Sequence, residues 1–123
     1  MKLQESGEMY LETILVLSGK LEHVRAIDVA ERMGYSKPSV SRGLSILRNA
    51  RYINTDVNGY LTLTETGREV AGKVYERHQV ITRLLESIGV DHKIAEEDAC
   101  RVEHVISDAT FNAIRKATSD MPK

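Results

Sequence analysis

The chain of 123 residues has one cysteine, Cys100, and two prolines, Pro38 and Pro122. A lone thiol cannot close a disulfide within the chain, which agrees with a reducing compartment and excludes a disulfide-stapled scaffold. No apolar run approaches the roughly 20 residues needed to span a bilayer. Glu5, Glu8 and Glu12 stand where a basic and then apolar secretory leader would lie, so the expected location is the cytosol. Low-complexity stretches and convincing repeats are also missing, and the whole chain reads as folded. With 41% hydrophobic and 28% charged residues, the composition is that of a soluble protein. Its length suits one compact domain, or a small domain extended by a helical segment.

Net negative charge would argue against nucleic acid if the charges were spread evenly, and the net value here is only -1. They are not spread evenly. From Arg32 to Thr55 there are five basic residues (Arg32, Lys37, Arg42, Arg48, Arg51) and no acidic one, whereas Asp91 to Lys123 holds seven acidic residues against five basic. Such asymmetry implies a local anion-binding face and a separate acidic segment suited to cations.

Tyr10, Leu11, Ile14, Leu15 and Leu17 recur at helical spacing, predicting a first helix over about 7–17 with Ser6 as its cap. A second helix is expected over 25–33, stopped by Gly34. Pro38 then suits the start of a third helix, 38–49, with Val40, Leu44 and Leu47 as its apolar stripe. Two β-favouring runs, 52–56 and 60–64, flank Val57, Asn58 and Gly59, where Asn58 and Gly59 suit the positive backbone angles of a tight hairpin. Thr64 or Thr66 is expected to cap a fourth helix reaching Ile88, with Thr66 and Glu69 at capping-box spacing. Shorter helices should follow over 93–107 and 109–118.

Two helices joined by a tight turn and followed by a hairpin describe a winged helix-turn-helix, whose second helix enters the major groove of DNA. Ala30 is small enough for close helix approach, Gly34 makes the turn, and Val40 anchors the reading helix. With Val40, Leu44 and Leu47 facing the core, Ser36, Lys37, Pro38, Ser39, Ser41 and Arg42 form the exposed leading edge expected to meet double-stranded DNA. Arg42 is suited to guanine or phosphate, and Lys37 and the serines to the backbone. Gly43 costs about 1 kcal/mol inside a helix relative to alanine, which implies close packing or close approach to DNA.

Three groups of potential metal ligands stand apart from this element. Met9 and Glu12 share a face of the first helix, His78 lies on the fourth, and Cys100, Glu103 and His104 share a face of the fifth at spacings of three and four. Singly, Met9 suits core filling, Cys100 a small buried hydrophobe and either histidine a hydrogen-bonded role. Together on one helical turn, thiolate, carboxylate and imidazole are costly to bury unless a cation joins them.

The chain resembles the iron- and manganese-dependent repressors of the diphtheria toxin repressor type, over nearly all its length. The resemblance lies in Glu8-Met9-Tyr10-Leu11-Glu12, Ala30-Glu31-Arg32-Met33-Gly34, Pro38-Ser39-Val40-Ser41, Leu63-Thr64-Glu65-Thr66-Gly67 and, above all, Glu97-Asp98-Ala99-Cys100-Arg101-Val102-Glu103-His104-Val105. It implies a mainly α protein, with a winged helix-turn-helix DNA-binding domain (1–70) followed by an α-helical metal-binding and dimerisation domain (71–123). It implies an activating metal site at Met9, Cys100, Glu103 and His104, and a second or shared site involving His78 and Glu12. Iron-type members have further ligands where this chain has Thr82 and Glu96, of which Glu96 can still serve. Glu12 resembles the manganese type; Met9 and Cys100 resemble the iron type. Soft ligands make Fe(II) the first expectation and Mn(II) the alternative, with Co(II), Ni(II) and Zn(II) as surrogates. The chain also looks like the compact, manganese transport regulator-like form without an SH3-like domain.

Two other classes are weighed. A metallohydrolase with Glu103 as base lacks an HExxH-like pair and an evident open coordination position. A thiol-redox regulator using Cys100 lacks a resolving cysteine, although His104 is placed to activate the thiol.

Overall fold

The computed structural model describes residues 5–120; the outer ends of the two expected domains, 1–4 and 121–123, lie outside the described residues. The chain divides into two compact units, Met1–Gly72 and Lys73–Lys123.

In the first unit, α1 (Glu5–Ser18), α2 (Ala26–Met33) and α3 (Lys37–Asn49) precede an antiparallel hairpin of β1 (Ile53–Thr55) and β2 (Leu61–Leu63). Because α1 already includes Glu5, Ser6 lies within the helix and is not its cap. Asp28 accepts the Arg25 backbone N–H at 2.9 Å at the start of α2. Gly34 ends that helix at φ 71°, in the left-handed region where a side chain is strained. Ser36 caps α3 by accepting from the Ser39 N–H. The predicted stripe of Val40, Leu44 and Leu47 is buried with Leu11 and Ile14 of α1, Val29 of α2 and Ile53 of β1. Each such side chain contributes on the order of 1.5–3 kcal/mol through burial.

The hairpin pairs Ile53 with Leu63 and Thr55 with Leu61. Its turn is held by Asp56, whose carboxylate accepts from the N–H groups of Asn58 at 2.8 Å and Tyr60 at 3.0 Å. Gly59 has positive φ, but Asn58 does not, which corrects the two-residue expectation. The side-chain bonds from Asp56 reach across the turn, so only one left-handed residue is required. His23 stacks on Tyr60 with ring centroids 4.1 Å apart, and Arg25 lies 5.0 Å over the same ring. These contacts tie the segment before α2 to the end of the wing.

Helix α4 (Glu65–Ser87) begins after Thr64, whose hydroxyl accepts the Gly67 N–H at 3.0 Å. The Thr64 hydroxyl also donates to the Arg51 carbonyl at 2.8 Å. Thr66 is therefore inside the helix, and the Thr66–Glu69 capping box is not the one used. Lys73–Lys123 contains the rest of α4 with α5 (His92–Val102) and α6 (Asp108–Ser119), capped by Asp91 and Ser107. Helix α5 ends five residues before the expected Ser107, so Glu103 and His104 lie in the turn after it.

The sequence Thr64-Glu65-Thr66-Gly67 now has a steric cause. A Cβ on Gly67 would stand 2.0 Å from the Tyr52 carbonyl oxygen, a backbone atom without freedom to move away. Gly67→Ala is therefore expected to cost about 2–3 kcal/mol by overpacking, and Thr64→Ala about 1 kcal/mol by loss of the cap. Urea unfolding of both variants checks the order; equal midpoints for Gly67→Ala and wild type would contradict it.

Candidate metal centre and nucleic-acid interface

The polar cluster is built where α5 runs out. Glu103 continues the helical hydrogen bonding by donating its N–H to Ala99, and its side chain is turned into the protein with 1% exposure. His78 on α4 approaches from one side, Nδ1 at 3.0 Å from Oε2 of Glu103. The fully buried His104 side chain approaches from the other, Nε2 at 3.2 Å from Oε1. One ligand atom from each of Cys100, Glu103 and His104 lies within 4.8 Å of the others.

This is a donor set of sulfur, oxygen and nitrogen converging in a largely water-excluded place. A buried carboxylate needs a proton, a cation or dense hydrogen bonding to offset its lost hydration. Thiolate, imidazole and carboxylate together are ligands for a divalent transition metal, so the residues present fit such an ion.

Arg77, which the sequence reading missed, fixes the same turn from the backbone side. Its guanidinium donates to the carbonyls of Glu103 at 3.1 Å and Ile106 at 3.0 Å, and pairs with Asp108. It also lies 5.1 Å over the Phe111 ring. Consecutive residues of α4 thus hold Glu103 twice, Arg77 by its main chain and His78 by its carboxylate. A surface-type arginine one position from a histidine gives no periodic signal of this role.

Glu96 is not among these groups. It is exposed and 2.9 Å from His92 Nε2, while His92 Nδ1 meets Glu86 at 2.9 Å. Thr82, one turn beyond His78, is buried with no hydrogen-bond partner for its hydroxyl among the described residues. Met9 and Glu12 are partly buried residues of α1 in the first unit.

On the recognition side, Ser36, Lys37, Pro38, Ser41 and Arg42 are exposed and Ser39 is partly buried. Ser36 and Ser39 also share a hydroxyl hydrogen bond of 2.9 Å, and an Arg42 Nη donates to the Ser39 hydroxyl at 3.5 Å. The leading edge of α3 is thus a row of small polar donors around one guanidinium, with no carboxylate.

A winged helix-turn-helix followed by a helical unit with sulfur, oxygen and nitrogen donors gathered around a buried Glu103 defines the class of metal-dependent DNA-binding regulators rather than enzymes. Comparison with known proteins specifies it further. The family model described as "Iron dependent repressor, N-terminal DNA binding domain" matches residues 2–61. "Iron dependent repressor, metal binding and dimerisation domain" matches 64–122. The chain belongs to this iron-dependent repressor family. It is 34% identical over 109 residues to the transcriptional regulator MntR of Escherichia coli, covering 89% of this chain and 70% of that protein. It is 32% identical over 122 residues to the diphtheria toxin repressor of Corynebacterium diphtheriae, covering 98% of this chain and 54% of that one. The structure of the manganese regulator SloR superposes with a TM-score of 0.81 at 27% identity, over 97% of this chain and 55% of that one. The chain therefore spans about half the length of the latter two. Among the described residues, no helix is long and apolar enough to cross a membrane.

The hydrogen bond to Glu86, then the charges of Glu86 and Glu96, raise the His92 pKa above its ordinary 6.5. A raised folded-state pKa means that this pairing stabilises the fold at pH below 6.5 and is lost as pH rises through the higher folded value. An NMR titration of the metal-free protein should show His92 titrating above 6.5, with Glu86→Gln lowering the midpoint more than Glu96→Gln. A midpoint indifferent to Glu86→Gln would contradict this ranking.

Proposed function

We propose that this protein is a metal-activated transcriptional repressor in which residues 1–70 read operator DNA and residues 71–123 bind metal and dimerise. The observation that carries this reading is the convergence of a half-buried Cys100 with the buried Glu103 and His104 side chains, in a chain whose other unit is a winged helix. Met9 and Glu12 complete the activating site, following the resemblance of Glu8-Met9-Tyr10-Leu11-Glu12 to the family. His78 orients Glu103 and is available to a second or shared ion. Glu96 joins that second ion only after giving up His92.

The activating ion is Fe(II), with Mn(II) the alternative, because a thioether and a thiolate are soft donors that manganese binds less well than iron does. When bound, the ion would supply positive charge to the Glu103 carboxylate and the Cys100 sulfur. Co(II), Ni(II) and Zn(II) act as surrogates in solution.

DNA is met by Ser36, Lys37, Pro38, Ser39, Ser41 and Arg42. Dimerisation through the C-terminal helices places two such edges on half-sites about one helical turn, roughly 34 Å, apart. Exposed Tyr75, Ile88, Ile94 and Val105 in the second unit offer apolar area of the kind a homodimer buries. DNA as the ligand implies a cytosolic protein whose targets maintain metal homeostasis.

The test is an anaerobic titration of Fe(II), and of Mn(II) in parallel, followed by binding to a duplex selected from random sequence for metal-dependent affinity. Wild type should gain binding on addition of metal, with Fe(II) acting at lower concentration. His104→Ala, which removes a ligand, should lose more than the roughly 10–100-fold in metal affinity typical of removing a partner that only orients a ligand. DNA binding that ignores both metals would overturn the proposal.

A further inference from the structure

Met9 and Glu12 are separated on α1 by Tyr10 and Leu11, and Tyr10 points into the recognition helix. Its ring is buried to 6% exposure. The fit against α3 is so close that a Cβ on Gly43 would lie 2.5 Å from Cε2, 2.7 Å from Cζ and 3.0 Å from the hydroxyl oxygen. The hydroxyl donates to the Ser39 carbonyl at 3.4 Å, and the ring meets Tyr35, in the turn before α3, edge to face at 6.2 Å. Ser39 in turn carries the hydroxyl shared with Ser36 and Arg42 at the exposed leading edge. One side chain of α1 therefore touches the turn, the first turn of α3 and its middle.

We infer that Tyr10 is the positioning residue through which α1 sets the pose of the DNA-reading helix, with Gly43 as its obligatory socket. The inference rests on the metal-activated reading above and adds the route within the first unit by which activation reaches the DNA-contacting edge. Packed interiors transmit displacement rather than absorb it, because neighbouring atoms are already in contact. An ordering of α1 through Met9 and Glu12 is passed by Tyr10 to Gly43 and Ser39, and from Ser39 to Ser36 and Arg42. The absence of a side chain at Gly43 is explained by this packing, without invoking close approach to DNA.

The test compares operator affinity with saturating Mn(II) and without metal, using the selected duplex, for Gly43→Ala, Tyr10→Leu, their double variant and Tyr10→Phe. Metal affinity of the free proteins is measured alongside. Gly43→Ala and Tyr10→Leu should each reduce the metal-induced gain in operator affinity about tenfold, within the usual range of coupling between sites. Metal affinity of the free protein should stay within about threefold, since neither residue is a ligand. In the Tyr10→Leu background, Gly43→Ala should have little further effect, because the ring it collides with is gone. Tyr10→Phe keeps the ring and loses only a long hydrogen bond, so it should retain most of the gain. If Gly43→Ala does not fold, Tyr10→Leu and Tyr10→Phe carry the comparison. An undiminished gain in Tyr10→Leu, or a full additional loss from Gly43→Ala in that background, would overturn the inference. Metal-indifferent DNA binding by the wild type would instead overturn the functional reading on which it rests.

Discussion

The carboxylate of Glu103 is the constraint around which the second unit is organised. A carboxyl group at 1% exposure has surrendered its hydration, and an uncompensated charge in such a place costs several kcal/mol. The fold answers by bringing His78 to one oxygen and His104 to the other, and by pinning the main chain with Arg77. Cys100 stands within the same cluster. A site that serves stability alone is cheaper to build from apolar side chains of similar volume. Retaining sulfur, oxygen and nitrogen donors here is what a cation-dependent role explains.

In the first unit the limiting feature is the thinness of the α3 contact. Val40, Leu44 and Leu47 anchor one face of α3, and Tyr10 fills the space left by the absent Gly43 side chain. The leading edge then has only short serine side chains, a proline, a lysine and an arginine. Such an edge depends for register on the helix beneath it. On the proposed reading α1 is the lever on DNA binding, because its buried face packs on α3.

Much of this was legible in the sequence because it rests on periodicity and turn chemistry. The stripe of α3, the stop at Gly34 and the hairpin all follow from local rules, and the family match agrees with the motifs that carried the resemblance. What local rules did not reach were choices settled by tertiary contacts. Thr64, not Thr66, caps α4 because its hydroxyl also bonds the Arg51 carbonyl. Helix α5 stops at Val102, short of the expected Ser107, and in the turn that follows Arg77 takes the carbonyls of Glu103 and Ile106. The partnership of Tyr10 with Gly43 is invisible to spacing because it joins residues of two helices.

Reciprocal coupling is the most direct consequence of a metal-activated repressor: whatever factor metal adds to DNA affinity, DNA must add to metal affinity. Calorimetric titration of Mn(II) into the protein, alone and bound to its selected duplex, measures that factor from the metal side. The account predicts tighter metal binding in the complex, by the same ratio that metal tightens DNA binding. Equal metal affinity in the two titrations would contradict it.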